Sequence, residues 1–280
     1  MDLLTQGLVG SALAQSFSES KAQHRAALCG AIAGLAPDLD ALISSSTDPL
    51  LNLDYHRYFS HSLAFIPVGA SLVALLIWFV AHRRFSFRET WLACFLGYGT
   101  HGLLDACTSY GTHLLWPFAV DRISWNLVSI IDPLFSLPLL VLTICGVWRR
   151  QIWFPRAAAM FCVCYLLFAF TQHRQAETAQ YELINRRDHN ATRHIIKPSI
   201  GNVFLHRSVY LHEGVYYVDA IHVIPGLSSK IYAGGEVEAL ENKTESGYRT
   251  ILNPILCSFD SDTIGVAPPS IIFATSGASI

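Results

Sequence analysis

The sequence predicts a mainly α protein, a multi-pass membrane helical bundle of about four to five membrane helices with a small C-terminal extracytoplasmic domain of α+β or mainly β type. Three observations carry this prediction. Only 14% of the 280 residues are charged and 52% are hydrophobic, against roughly 25% charged in an average soluble domain; the mean hydropathy is +0.36. The charge is uneven: residues 1–172 hold ten Lys/Arg and ten Asp/Glu, and the shorter remainder holds nine and eleven. The first part also contains charge-free runs at Ser62–Ala81, Pro133–Trp148 and Ala157–Gln172. A spanning helix needs about 20 apolar residues, with roughly 17 as the floor. The first run clears that length, and the other two reach it with their flanks. The chain therefore divides into a membrane-embedded helical domain, 1–172, and a soluble, β-rich C-terminal domain, 173–280. The composition excludes a disordered chain. A net charge of −2 excludes a basic nucleic-acid binder, which needs a Lys/Arg excess against phosphates.

The elements follow in order. Leu4–Ala14 reads as a short helix, buried or re-entrant. Met1-Asp2 offers no basic n-region, so the start does not read as a cleaved signal peptide. Residues 26–43 and 90–107 are apolar for most of a span and then acquire acids or a histidine near their C-terminal ends. Charges at membrane depth are costly and mark function. Leu72–Val80 has no polar stripe, unlike the core helix of a soluble bundle. If Arg83, Arg84 and Arg88 are cytoplasmic, alternation brings Lys21, Arg25, Arg149, Arg150 and Arg156 to the same side. It gathers Asp38, Asp40, Asp48, Asp54, Asp105, Asp121 and Asp132 on the other, and sends the chain after Gln172 out of the cytoplasm.

Residues 173–198 are polar and helix-compatible. Ser208–Val218 is rich in β-branched and aromatic residues around a Gly break, as in a hairpin, and Ala220–Val223 and Lys230–Ala233 read as further strands. Cys257–Ile280 is Ser/Gly/Pro-rich and receives no assigned structure. Cys29, Cys94, Cys107, Cys145, Cys162 and Cys164 fall in or beside apolar spans and read as small hydrophobes. Cys257 has no obvious partner. With no CxxC pair, a thiolate zinc site is not expected.

Three short motifs hold the unusual polar residues: Pro37-Asp38-Leu39-Asp40, His56-Arg57-Tyr58-Phe59-Ser60-His61-Ser62, and His101-Gly102-Leu103-Leu104-Asp105 followed by Thr108-Ser109-Tyr110-Gly111-Thr112. His101 and Asp105 are i and i+4, so one helix face presents both as a two-ligand arm. On a regular helix Asp38 and Asp40 would point about 200° apart; Pro37 disfavours that geometry and lets the helix end there. The alternation brings all six acids and histidines, Asp38, Asp40, His56, His61, His101 and Asp105, to one membrane boundary. Histidine with carboxylate suits Zn²⁺, Mn²⁺ or Fe²⁺, in one or two ions, with zinc first.

These motifs, with the opening Met1-Asp2-Leu3-Leu4-Thr5-Gln6 and the step Ile131-Asp132-Pro133, resemble the YdjM-type inner-membrane proteins over about residues 1–172 and into the β-rich tail. The resemblance implies a metal-dependent hydrolase of the bacterial inner membrane; some relatives are described as LexA-binding. Many relatives have histidine where this chain has Gln6, which can hydrogen-bond water at a metal. The His-x-x-x-Asp helix is also similar to the zinc-binding helix of zinc phospholipase C and the nuclease P1 group.

The expected mechanism is hydrolysis by a metal that lowers the pKa of water toward about 7. Asp132 would orient the water and Arg57 would steady a phosphate. Thr108, Ser109 and Tyr110 would bind substrate or support the ligands. A site at the membrane boundary favours a membrane lipid or lipid-linked substrate. Two other readings compete: a non-catalytic metal-binding or transport protein, which would carry polar groups toward both faces, and a scaffold for a cytosolic regulatory protein partner. Neither GxSxG nor a P-loop occurs, so serine-hydrolase and NTPase chemistry get no support.

Overall fold

A computed structural model describes residues 1–43, 56–81, 86–226 and 229–239. Asp48, Asp54, Arg83, Arg84, Cys257 and the tail 257–280 lie outside the described residues.

Helix α1, Leu3–Ser16, is capped by Asp2, whose carboxylate accepts from Thr5 N at 2.9 Å. Helix α2, Gln23–Leu35, tightens at Ala36-Pro37 into a 3₁₀ helix, Ala36–Leu42. Helix α3, Ile66–Ala81, is entered through a 3₁₀ turn, Leu63–Phe65, capped by Ser62. Helix α4, Phe87–Ala106, starts on a Ser86 cap. Helix α5, Pro133–Arg149, starts on an Asp132 cap with Pro133 at its first position, where a missing N–H costs nothing. Helix α6, Trp153–Arg186, runs unbroken for 34 residues.

Helices α1, α2 and α4 meet through glycine. A Cβ on Gly10, Gly30, Gly34 or Gly97 would overlap the backbone of a neighbouring helix. Small residues of this kind let helix backbones approach closely where there is no hydrophobic drive between helices. Among the described residues two helical segments are long and apolar enough to cross a membrane, Leu63–Ala81 and Trp153–Arg186; α5 is apolar but shorter. One end of the bundle gathers the C-terminal ends of α2 and α4 with the N-terminal ends of α1, α3 and α5.

Four strands follow, β1 Arg193–Pro198, β2 Leu205–His212, β3 Val215–His222 and β4 Lys230–Glu238, forming one antiparallel sheet in the order β1-β2-β3-β4. Glu213 and Gly214 join β2 to β3 with φ of 47° and 78°, the left-handed pair that matches the twist of a two-residue hairpin. The expected hairpin thus lies at this turn, and Ala220 continues β3. Residues 173–198 are not helical throughout: the helix stops at Arg186, and Ile195 and Ile196 carry β1 onto the sheet. The polar half of α6 packs on that sheet. Gln180 Nε2 donates to Ser208 Oγ at 2.8 Å and to the Ile195 carbonyl at 3.1 Å, and Arg187 forks onto Asp219 at 2.7 and 2.9 Å. The change of composition at residue 172 falls inside a continuous helix. The six cysteines among the described residues are free thiols.

Candidate metal centre

Two backbone features bring the polar motifs together. At Ala36-Pro37 the chain tightens to 3₁₀ geometry, which turns Asp38 and Asp40 to opposite sides of one imidazole. At Gly102 the missing side chain lets the turn Phe59–His61 lie against α4; a Cβ there would overlap the His61 carbonyl. The ring of His61 therefore rests against that of His101, with centroids 4.5 Å apart.

The imidazole protons can be assigned from their partners. His101 Nδ1 lies 2.6 Å from the Gly34 carbonyl, which can only accept, so Nδ1 donates. Ser60 Oγ donates to Asp40 Oδ2 at 2.5 Å, so toward His61 Nδ1, at 3.0 Å, the serine oxygen is an acceptor. Asp40 Oδ2 is a second acceptor for the same nitrogen at 3.2 Å. Both rings thus carry their Nδ1 proton outward. Their Nε2 atoms face each other at 2.9 Å, and in the neutral rings both are lone pairs. Two carboxylates close the group. Asp38 Oδ1 lies 3.3 Å from His101 Nε2 and 3.5 Å from His61 Nε2; Asp105 Oδ2 lies 3.4 Å from His61 Nε2 and 3.9 Å from His101 Nε2.

Two imidazole nitrogens and two carboxylates directed at one point could hold a cation. Ligand bonds of about 2.0–2.1 Å around tetrahedral zinc place donor atoms roughly 3.3 Å apart, and the spacings here run from 2.9 to 3.9 Å. Asp38, His61, His101 and Asp105 form a cluster that could hold a metal ion. The hydrogen bonds behind both histidines, to a carboxylate and to a carbonyl, are the usual support of metal-ligating imidazoles. His61, His101 and Asp105 are closed off from solvent; Asp38 is 18% exposed and is the open side of the site.

Without a cation the cluster attracts protons. Burial would lower the His61 pKa, but hydrogen bonds to Asp105, Asp38 and Asp40 outweigh it and push it up to about 10. Burial would raise both aspartates in the 3₁₀ helix. Hydrogen bonds from His101 and His61 to Asp38, and from His56, His61 and Ser60 to Asp40, outweigh that and hold both well below the usual carboxylate range.

The six expected ligands separate into two groups. Asp40 and His56 stand one shell back: Asp40 accepts from His56 Nδ1 at 2.7 Å, from Arg57 N at 3.0 Å and from Ser60 Oγ. The Arg57 backbone takes the left-handed region, φ 67°. Its Nε is 3.3 Å from Asp105 Oδ2, its guanidinium lies 5.2 Å from the centroid of the Tyr110 ring, and its buried Nη1 has no hydrogen-bond partner among the described residues. Asp132 is engaged elsewhere. Its Oδ1 accepts from Leu134 N and its Oδ2 from Tyr165 OH at 2.6 Å. Thr108 donates to the Asp105 carbonyl, so it closes the end of α4. Gln6 Nε2 donates to Asp105 Oδ1 at 2.9 Å, beside the Met1 amino group on the same oxygen, and Gln6 Oε1 is buried without a partner among the described residues. Ser60, Gly34 and Gly102 are the site residues that sequence reasoning did not single out. The only signal was the Gly that follows His101 and the Ser that precedes His61.

A family model described as YdjM inner membrane protein matches residues 1–176. The chain belongs to the YdjM family. The YdjM match includes all four residues of the cluster and ends within α6. Inner membrane protein YbcI of Escherichia coli (strain K12) is 31% identical over 112 residues, which cover 38% of this chain and 62% of that protein. The similarity thus spans less than two thirds of the relative's length. No solved structure matches.

Proposed function

We propose that this YdjM-family protein is a membrane-embedded, metal-dependent hydrolase acting on a phosphoester or lipid-linked substrate at the extracytoplasmic face of the inner membrane. The observation that carries the reading is the pair of Nε2 atoms 2.9 Å apart between two carboxylates, each ring with an acceptor behind its Nδ1. Asp38, His61, His101 and Asp105 would hold one divalent ion, with zinc first for this histidine and carboxylate set and manganese or iron next. When bound, the ion supplies a Lewis acid and brings the pKa of water toward about 7.

The chain's own residues do the rest. Asp40 and the Gly34 carbonyl hold the two imidazoles in the Nδ1–H tautomer. The Gln6 Oε1 acceptor is available to a water in the site. The Arg57 Nη1 donors are available to a phosphoryl oxygen, and the Tyr110 ring steadies that guanidinium. Asp132, committed to the α5 cap and to Tyr165, has no place in this mechanism.

The same reading gives the topology. The end with the site carries Asp38, Asp40, Asp105, Asp121 and Asp132; the opposite end carries Lys21, Arg25, Arg88, Arg149, Arg150 and Arg156. The excess of basic residues assigns that opposite end to the cytoplasm. Helices α2 to α6 would then span, α1 would enter from the site side, and the sheet would stand outside the cytoplasm as a unit of its own. The substrate partner would be a lipid, reaching the ion past Asp38.

Metal analysis of the detergent-purified protein tests the site, and release of phosphate from short-chain lipid phosphoesters tests the activity. His101→Ala and Asp105→Ala should each lose the metal and all turnover. Stoichiometric metal in both variants would remove the site. A metal-loaded wild type inert on phosphate and carboxylic esters would leave a metal-binding membrane protein in place of the enzyme.

A further inference from the structure

At the basic end of the bundle, opposite the metal centre, a cavity of about 550 Å³ opens between α1, the start of α2 and the end of α5. Its polar floor is formed by Ser11 and Thr143. Thr143 is 5% exposed, and its hydroxyl has no hydrogen-bond partner among the described residues. A threonine within a helix ordinarily returns that bond to the carbonyl one turn back. A buried hydroxyl without a partner costs roughly what a lost hydrogen bond does, so this one points to an absent acceptor.

The rest of the cavity describes that acceptor. His24 and Arg150 stand at the rim, within an end that also carries Lys21, Arg25, Arg149 and Arg156 against Glu19 and Glu89. The ligand is therefore an anion. One wall is apolar, formed by Ile144, Val147 and Trp148. From that wall Leu137, Val141, Ile144 and Trp148 continue along one face of α5, each more than half exposed. Their spacing of four, three and four residues makes a single stripe. A free phosphate has no use for such a stripe, and an acyl chain does.

We propose that this cavity binds an anionic phospholipid. Its headgroup phosphate sits between His24 and Arg150 and accepts from the Thr143 hydroxyl, and one acyl chain lies along Leu137–Trp148. Basic pockets between membrane helices are the expected place for such headgroups.

The test uses the whole protein, delipidated in detergent, with thermal unfolding followed against added phosphatidylglycerol, phosphatidylcholine or inorganic phosphate. Phosphatidylglycerol should raise the unfolding temperature well beyond phosphatidylcholine, and phosphate alone should not. In Arg150→Gln the concentration of phosphatidylglycerol needed should rise about fivefold for the cation lost, and His24→Gln should raise it in the same direction. Thr143→Val should weaken binding in the same direction. An unfolding temperature in lipid-free detergent unchanged from the wild type shows that the variants are folded. Equal stabilisation by both lipids would mean an ordinary annular lipid. An equal effect of phosphate would mean a free-anion site, and an undiminished response in the variants would put the headgroup elsewhere. Each of these overturns the proposal.

Discussion

His61 meets two aspartates through its two nitrogens, which makes them unequal. Asp38 shares the Nε2 side with the cluster, and Asp40 holds the Nδ1 proton. Asp38→Asn should therefore remove the metal, because a neutral amide cannot replace the charge. Asp40→Asn should keep the stoichiometry and weaken affinity about 10- to 100-fold, as loss of a supporting carboxylate does; titration with a competing chelator measures both. The pair was legible in the sequence as a pair, through Pro37. Which carboxylate faces the paired Nε2 atoms was not, because that depends on 3₁₀ geometry that spacing alone does not reveal. The contact of His56 with Asp40 is hidden for the same reason, since the two are neighbours only in space.

The raised pKa of His61 gives a second result at this scale. In the metal-free protein its stabilising contribution is complete below 6.5 and is lost as pH rises through about 10. The two aspartates act in the opposite sense, contributing above their unfolded value of 3.8 and losing it on acidification. Unfolding temperature should therefore fall between pH 7 and pH 10 without metal, and much less with it. A divalent ion must displace the His61 proton, so adding zinc at pH 8 in weak buffer should release about one proton per ion bound. Zinc uptake without a pH change would show that the ion binds elsewhere.

Among the elements, α4 is positioned by what it lacks. Gly97 admits the backbone of α2 and Gly102 admits the turn that carries His61. Gly102→Val should cost about 1–3 kcal/mol by overpacking and weaken metal binding as well. Gly99→Ala, whose Cβ would meet only Ile66 at 3.8 Å, should be neutral or gain up to about 1 kcal/mol from helix propensity. Thermal unfolding with metal analysis separates the two; equal effects would mean that the close approach at Gly102 is unimportant. The apolar runs make α3, α5 and α6 legible in the sequence, since hydropathy dominates there. Strand β1 stayed hidden because Arg193–Pro198 is short and follows a polar helix, and its identity comes from pairing with β2. The full extent of α6 was hidden for a related reason: the composition changes at Gln172, and the backbone does not.

For the whole molecule, the separation of acidic and basic ends is the feature with the widest reach. A reporter inserted at the exposed Glu213-Gly214 turn should be active only outside the cytoplasm, and a cysteine placed at Arg150 should be labelled only from the cytoplasmic side. The reverse pattern would invert the bilayer orientation and move the metal centre to the cytosolic compartment. Helix α6 is one rod of 34 residues, about 51 Å at 1.5 Å per residue. A rod of that length is a lever. If its membrane half tilts by about 10° to suit a thinner bilayer, its far end sweeps roughly 9 Å, and the sheet packed on Gln180 and Arg187 moves with it. The sheet would then act as a pointer on a gauge whose input is the thickness of the membrane.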